Sequence, residues 1–118
     1  MSGSFYFPGL SFNGGILSVR LEKKGIPWAL VEFEAPRAFR FFNESDKFSY
    51  IETYDGPNLL NPGQGCSINE STTSGYLDDY YKYLIEARLE DGIRSIIIIS
   101  PQECVEVISF ESPSITML

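Results

Sequence analysis

The sequence contains no histidine, which is the side chain that most often performs acid–base catalysis. Serine–histidine and cysteine–histidine catalytic arrangements are therefore excluded, and so are zinc sites that use histidine. Cys66 lies within residues 63–67, a glycine-rich segment that lacks the lysine of a phosphate-binding loop and does not lead directly into a helix. With no imidazole to deprotonate the thiol, we expect a flexible turn here and no cysteine nucleophile.

Three pairs of closely spaced carboxylates remain as candidates for chemistry: Glu32/Glu34, Asp78/Asp79 and Glu103/Glu106. A glycosidase needs only two acids across a cleft, but spacing along the chain does not fix that geometry. Asp78 and Asp79 suit the positive end of a helix. Glu32 and Glu34 share a strand face, from which they could contact Arg20 across a hairpin. We therefore expect no catalytic residues and no enzymatic activity; a carboxylate-dependent enzyme acting on a small or sugar-like substrate is the alternative.

The charge balance favours a protein partner over a nucleic acid. The chain has 16 acidic and 9 basic residues, and its net charge is -7. A nucleic-acid groove must neutralise phosphates and needs the opposite balance, whereas a basic protein partner would be attracted. The alternative interpretation is that the charge only keeps the protein soluble. We expect no metal ion and no cofactor.

One predicted helix combines tyrosines with carboxylates on a single face. Apolar side chains recur at helical spacing over residues 75–90, Ser74 is a suitable N-cap, and Gly92 can end the helix. The residues opposite the apolar stripe form the predicted partner-binding site: Tyr76, Asp79, Tyr83, Glu86 and Glu90. Rigid tyrosine rings supply contact area and hydrogen bonds at interfaces. The alternative is an ordinary solvated helix face.

Alternating apolar and polar residues predict the strands that support this helix. Residues 16–22 and 28–35 alternate cleanly and predict two half-buried strands joined by a hairpin loop. A third strand is predicted over residues 39–42. The unbroken isoleucine run within residues 95–100 predicts a central strand buried on both faces, and residues 104–110 are expected to pair with it.

The remaining segments complete the predicted fold. A short helix is expected to begin after Asn43 and to stop at residues 55–57, and residues 56–74 are predicted to be a long irregular loop. Pro113 is expected to end the regular structure. The predicted fold is a single α+β domain over residues 1–118, with a mostly antiparallel sheet of about five strands and two helices packed on it. The core is expected to include these residues: Val31, Phe33, Leu77, Leu84, Ile85, Ile97 and Val107.

The sequence also bears on cellular location. Residues 1–8 lack the basic and apolar regions of a signal peptide, and the longest apolar run, residues 96–99, is far too short to span a membrane. Two cysteines are too few for a disulfide framework, and Cys104 lies in an apolar run typical of a core. We therefore expect a cytoplasmic protein that does not bind to a membrane.

Two stretches of the chain resemble a known family of proteins. They are Trp28–Asp46 and Ile96–Ser109, and they resemble small bacterial immunity proteins of toxin–immunity systems, including those of contact-dependent growth inhibition. The resemblance implies a cytoplasmic protein that inhibits a cognate toxin domain, often a nuclease, by direct binding. The acidic charge agrees with this expectation, because nuclease domains tend to be basic and opposite fields speed encounter. A phage-encoded or regulatory structural subunit is a further alternative.

Overall fold

A computed structural model describes residues 5–23, 25–43, 56–63, 66–82, 93–101 and 103–118. Nine strands and one helix lie within these ranges. The strands are β1 (Phe5–Asn13), β2 (Ile16–Lys23), β3 (Ile26–Glu34), β4 (Ala38–Asn43), β5 (Asn58–Gly63), β6 (Cys66–Ser71), β7 (Arg94–Ile99), β8 (Glu103–Ser109) and β9 (Ser114–Met117). The helix, α1, spans Gly75–Lys82.

The strands form two sheets. The first sheet has the order β1-β2-β3-β9, and the second has the order β4-β8-β7-β6-β5. After β8 the chain crosses from the second sheet back to the first, where β9 pairs with β3. Every pairing between these strands is antiparallel, in agreement with the predicted strand orientation.

The two sheets pack face to face and enclose the main core. Alternate residues of β2 and β3 contribute from the first sheet, as their sequence pattern predicts, and alternate residues of β6, β7 and β8 contribute from the second. The buried members are Leu17, Val19, Leu21, Ala29, Val31, Phe33, Cys66, Ile68, Ile96, Ile98, Val105 and Val107. The burial predicted for Val31, Phe33 and Val107 is confirmed.

The isoleucine run forms β7, which lies between β6 and β8 in the second sheet. Ile96 and Ile98 face the first sheet, whereas Ile97 and Ile99 pack with Cys104 on the opposite face. All four isoleucines are buried, so the prediction of a central strand buried on both faces is confirmed. Cys104 is also buried, as its apolar surroundings in the sequence predict.

The helix covers part of the outer face of the second sheet. Tyr76 and Leu77 pack there with Ile108 of β8. Ser74 caps the helix as predicted, because its hydroxyl accepts the backbone N–H of Leu77 at 3.1 Å. The same hydroxyl is hydrogen-bonded to that of Ser95 in β7, which fixes the beginning of α1 on the sheet.

The predicted α+β fold is wrong. The described residues form a sandwich of two antiparallel sheets with one short helix on its outside, rather than one sheet with two helices packed on it. The helix predicted to begin after Asn43 lies outside the described residues, and Asn43 itself ends β4. The helix predicted over residues 75–90 is described only as far as Lys82. Leu84 and Ile85 of the predicted core therefore also lie outside the described residues.

Four strands have no counterpart in the sequence prediction. The predicted loop over residues 56–74 is wrong, because it contains β5 and β6. These strands are short and polar on their own, and they are stabilised by pairing of β5 with β6 and of β6 with β7. Pro62 is tolerated because β5 is at the edge of its sheet.

Pro113 does not end the regular structure, since β9 follows it. β1 pairs with β2 through a two-residue turn at Gly14 and Gly15, both of which have positive φ.

The two-sided burial of β7 can be tested at two adjacent positions. Ile96→Ala removes a side chain from the core between the sheets, and Ile97→Ala removes one from the outer face. Because both side chains are fully buried, each change should lower the free energy of unfolding by about 2–5 kcal/mol, as measured by urea unfolding. Ile26→Ala, at an exposed position, is the control. A loss near zero at either buried position would contradict the arrangement.

Candidate functional site

Tyr76, which the sequence prediction places on the solvated face of the helix, is buried instead, with only 9% of its surface exposed. Its ring lies against Arg40 of β4, and the guanidinium carbon is 4.0 Å from the ring centroid. Burial raises the pKa of Tyr76 to about 12, and the charge of Arg40 opposes part of that rise. Tyr76 therefore anchors α1 to the sheet and is not available to a partner.

Arg40 is in turn the partner of a carboxylate in the middle of β8. Glu106 is fully buried. Arg40 Nε donates a hydrogen bond to Glu106 Oε1 at 2.8 Å, and Arg40 Nη2 lies 2.8 Å from the same oxygen. The two residues are directly opposite each other in the β4–β8 register. The cluster of Arg40, Glu106 and Tyr76 links β4, β8 and α1, and we assign it a structural role because its carboxylate has no access to solvent.

We expect that removing one partner of the Arg40–Glu106 pair costs more stability than replacing both partners. Arg40→Met leaves Glu106 buried without this cation and should cost about 3–5 kcal/mol of stability in urea unfolding. The double variant Arg40→Met/Glu106→Met should recover most of that loss, because apolar side chains of similar volume can replace a buried pair.

Arg20→Met is the control for this prediction. Arg20 is exposed and lies 3.9 Å from Glu22, so its loss should cost only about 0–1 kcal/mol. A loss for Arg40→Met as small as that for Arg20→Met would contradict the structural role of the buried pair.

The rest of the predicted partner-binding site is only partly described. Asp79 is exposed on α1, as predicted. Tyr83, Glu86 and Glu90 lie outside the described residues. The described structure thus places Tyr76 under the helix and Asp79 on its surface, and a joint binding face of the five residues remains a prediction.

A second ion pair lies where the chain crosses between the sheets. Arg94 Nη1 of β7 donates to Glu70 Oε1 of β6 at 2.7 Å. Ser112 Oγ donates to Glu70 Oε2 at 3.0 Å, and Ser112 belongs to the connection between β8 and β9. This network attaches the crossing segment to the end of the second sheet, and it thereby fixes the residues on either side of Ser112.

An open acidic cleft lies next to this network. Its volume is about 260 Å³, and its lining residues come from β2, β3, the β8–β9 connection and β9: Ile16, Glu32, Glu34, Glu111, Ser112 and Ser114. A second hollow of about 220 Å³ shares Glu34 and Glu111 with it. Glu34 and Glu111 are exposed, and Glu32 is half-buried. Three carboxylates therefore surround one concave surface.

Strand register brings the cleft residues together. Glu32 and Glu34 share the outward face of β3, as predicted, and Glu32 is paired with Ser114 on β9. The contact expected between these carboxylates and Arg20 is not the arrangement that forms. Arg20 is opposite Leu30, and its guanidinium is paired with Glu22 of its own strand.

The turn after β3 fixes one wall of the cleft. Ala35 has a φ of 45°, in the left-handed region that is unfavourable for a residue other than glycine. Its N–H donates to the carbonyl of Gly15 at 2.7 Å, which holds the end of β3 against the β1–β2 turn. Arg37 then stacks on Phe110, with its guanidinium carbon 4.6 Å from the ring centroid. Ala35 and Phe110, held by these contacts, line the hollow together with the adjoining Glu34 and Glu111.

The shape and chemistry of the cleft suit a cationic side chain. Its volume lies below the roughly 300–1,000 Å³ of typical small-molecule sites, and its walls are not predominantly apolar. Carboxylates bind the end of a lysine or arginine through charge-assisted hydrogen bonds. Within the part of the chain that the structure describes, no group of three or more cysteine, aspartate or glutamate side chains is arranged to hold a metal ion.

The sequence indicates only part of this cleft. The spacing of Glu32 and Glu34 marks them as a pair, but the sequence prediction assigns no role to Glu111, Ser112 or Ser114. Those three residues flank Pro113, where the prediction ends the regular structure. The alternation of polar and apolar residues in Ser114–Met117 is the signal that could have revealed a further strand.

Cys66 is not in a flexible turn, contrary to the prediction. It begins β6 and its thiol is buried in the core between the sheets. Burial raises the pKa of the thiol to about 11, so that it is protonated at neutral pH. A buried and protonated thiol is a poor nucleophile, because the thiolate is the reactive form.

No protein-family model, curated protein or solved structure matches this chain. Over the described ranges, no helix has the length and apolar character needed to cross a membrane.

Proposed function

We propose that this chain is a binding protein that engages a basic protein partner through its acidic cleft. The observation that carries the proposal is the convergence of Glu32, Glu34 and Glu111 on one open concave surface. The rigid strand β3 presents two of these carboxylates, and the anchored β8–β9 connection presents the third. A site whose charges are already held in place loses little conformational entropy when a cation enters it.

The net charge supports the same proposal. An excess of seven negative charges produces a field that attracts a basic partner from a distance. The cleft would then hold a lysine or arginine at close range, where charge-assisted hydrogen bonds slow its release. Long-range attraction and short-range pairing would therefore act on the same partner.

A bacterial toxin domain is the specific partner that we propose. The support is the resemblance of Trp28–Asp46 and Ile96–Ser109 to immunity proteins, and the first of these stretches contains Glu32 and Glu34. The chain would act in the cytoplasm by covering a basic surface of the toxin, such as the nucleic-acid-binding surface of a nuclease. Asp79, which is exposed on α1, remains available as a second contact, whereas Tyr76 does not.

The proposal predicts protection that depends on the cleft carboxylates. We would express the product of the gene next to this one in bacteria, with and without this chain, and measure growth. We expect growth inhibition that this chain relieves. The charge reversal Glu34→Lys/Glu111→Lys should abolish the relief, and it should slow association of the purified proteins at low salt at least about tenfold.

The control is Asp78→Lys/Glu103→Lys, which makes the same change of net charge outside the cleft. This variant should retain protection and most of the association rate. Equal loss in both double variants would mean that only the net charge matters. Full protection by the Glu34→Lys/Glu111→Lys variant, once its fold is verified by circular dichroism, would contradict the proposed role of the cleft.

A further inference from the structure

The edges of the two sheets differ in how well they are protected against pairing with another strand. β1 contains Pro8 and a register shift, and β5 contains Pro62 and two register shifts. β4 carries Arg40 in its middle. Proline, bulges and charged residues are the common devices that stop an edge strand from pairing further. β9, Ser114–Met117, has no proline, no charged residue and no register shift.

The outer side of β9 is also accessible. Among the described strands, none pairs with β9 on the side away from β3. Met117 is 53% exposed and the adjoining Leu118 is 62% exposed. Thr116 is exposed as well.

The hydrogen-bonding direction of each β9 residue follows from its register with β3. The N–H of Leu118 donates to the carbonyl of Trp28 at 2.9 Å. Backbone groups alternate in direction along an antiparallel strand, so those of Thr116 also point to β3. The N–H and C=O groups of Ile115 and Met117 therefore point away from the sheet, where they offer two donors and two acceptors to an added strand.

The open edge begins at the acidic cleft. Ser114, the first residue of β9, lines the cleft and is paired with Glu32. In an added strand, the residue opposite Ser114 would present its side chain on the same face of the sheet as Glu32. The two residues would be two strands apart, about 10 Å, a distance that an arginine and a glutamate side chain can bridge together.

We propose that the partner adds an extended segment to the free edge of β9 and places a lysine or arginine from that segment in the acidic cleft. This inference rests on the proposed function and names the form of the partner's binding segment. Backbone hydrogen bonds at Ile115 and Met117 supply affinity, and the cleft supplies specificity for a basic side chain.

A second copy of this chain fits the same edge less well. Pairing of β9 with itself in the register that joins Ile115 to Met117 of the copy places Leu118 of the copy opposite Ser114. That residue brings no positive charge to the cleft. Both copies also carry the same net charge of -7, so their association would be opposed by repulsion.

The test is an NMR titration of the protein with a defined peptide, acetyl-Val-Thr-Val-Arg-Thr-amide, at peptide concentrations up to millimolar. We expect it to shift the backbone amide signals of Ile115 and Met117 together with those of Glu32 and Glu34. Methylation of the two valine nitrogens removes the two backbone donors that would face Ile115 and Met117, and it should weaken binding at least about tenfold. Replacement of its arginine by glutamate should weaken binding by a similar factor.

A matched pair of variants tests the protein side. Met117→Pro removes an N–H that points away from β3, so it should keep the sandwich intact but reduce peptide binding at least about tenfold. Met117→Ala keeps that N–H and should bind the peptide as the unaltered chain does. The melting temperature of each variant verifies the fold.

The outcomes separate this inference from the proposed function. Arginine-dependent shifts at Glu32 and Glu34 that survive valine methylation would overturn strand addition and leave the acidic cleft as a binding site. No shift at Ile115 and Met117 would also overturn strand addition, and the growth assay would still decide on the proposed function. A doubling of mass in sedimentation that Met117→Pro abolishes would show a second copy at this edge and overturn the proposed occupant.

Discussion

The burial of two apolar strand faces against each other is the constraint on which the rest of this molecule depends. Leu17, Val19, Val31 and Phe33 of the first sheet are buried against the apolar faces of β6, β7 and β8. Because side chains alternate along each strand, this packing also determines which residues point outward. The positions of Glu32 and Glu34 on the outer face of β3 are a direct consequence.

The two buried carboxylates among the described residues, Glu70 and Glu106, are each paired with an arginine. Glu106 is buried on the outer face of the second sheet, where Arg40 bonds it and Tyr76 covers the arginine. The Glu70–Arg94 pair closes one end of the inner face and holds Ser112. Pairs of this kind contribute little net stability but are costly to break, so they restrict how the helix and the crossing segment can be placed.

The sequence contains strong signals for strands with a regular pattern of burial, and weak signals for strands that are short and partly polar. The alternation in β2 and β3 and the isoleucine run of β7 could be recognised because burial leaves a periodic pattern. The strands β5, β6 and β9 are short and partly polar, so their local patterns are weak and their conformation depends on pairing with other strands. Sequence patterns reveal only part of the acidic cleft for the same reason. Glu32 and Glu34 were recognisable as a pair, but only the return of β9 to β3 brings Ser114 and the preceding Glu111 beside them.

Amide hydrogen exchange along β9, followed residue by residue by NMR, tests most directly the claim that β9 is an open edge strand beside the acidic cleft. The N–H groups of Thr116 and Leu118 point to β3, so they should exchange slowly, whereas those of Ile115 and Met117 should exchange at rates close to those of an unstructured peptide. This alternation is expected only if β9 is paired on one side. Uniformly slow exchange would show that the outer edge is already occupied, and uniformly fast exchange would show that β9 does not pair with β3; either result would contradict the proposed binding edge.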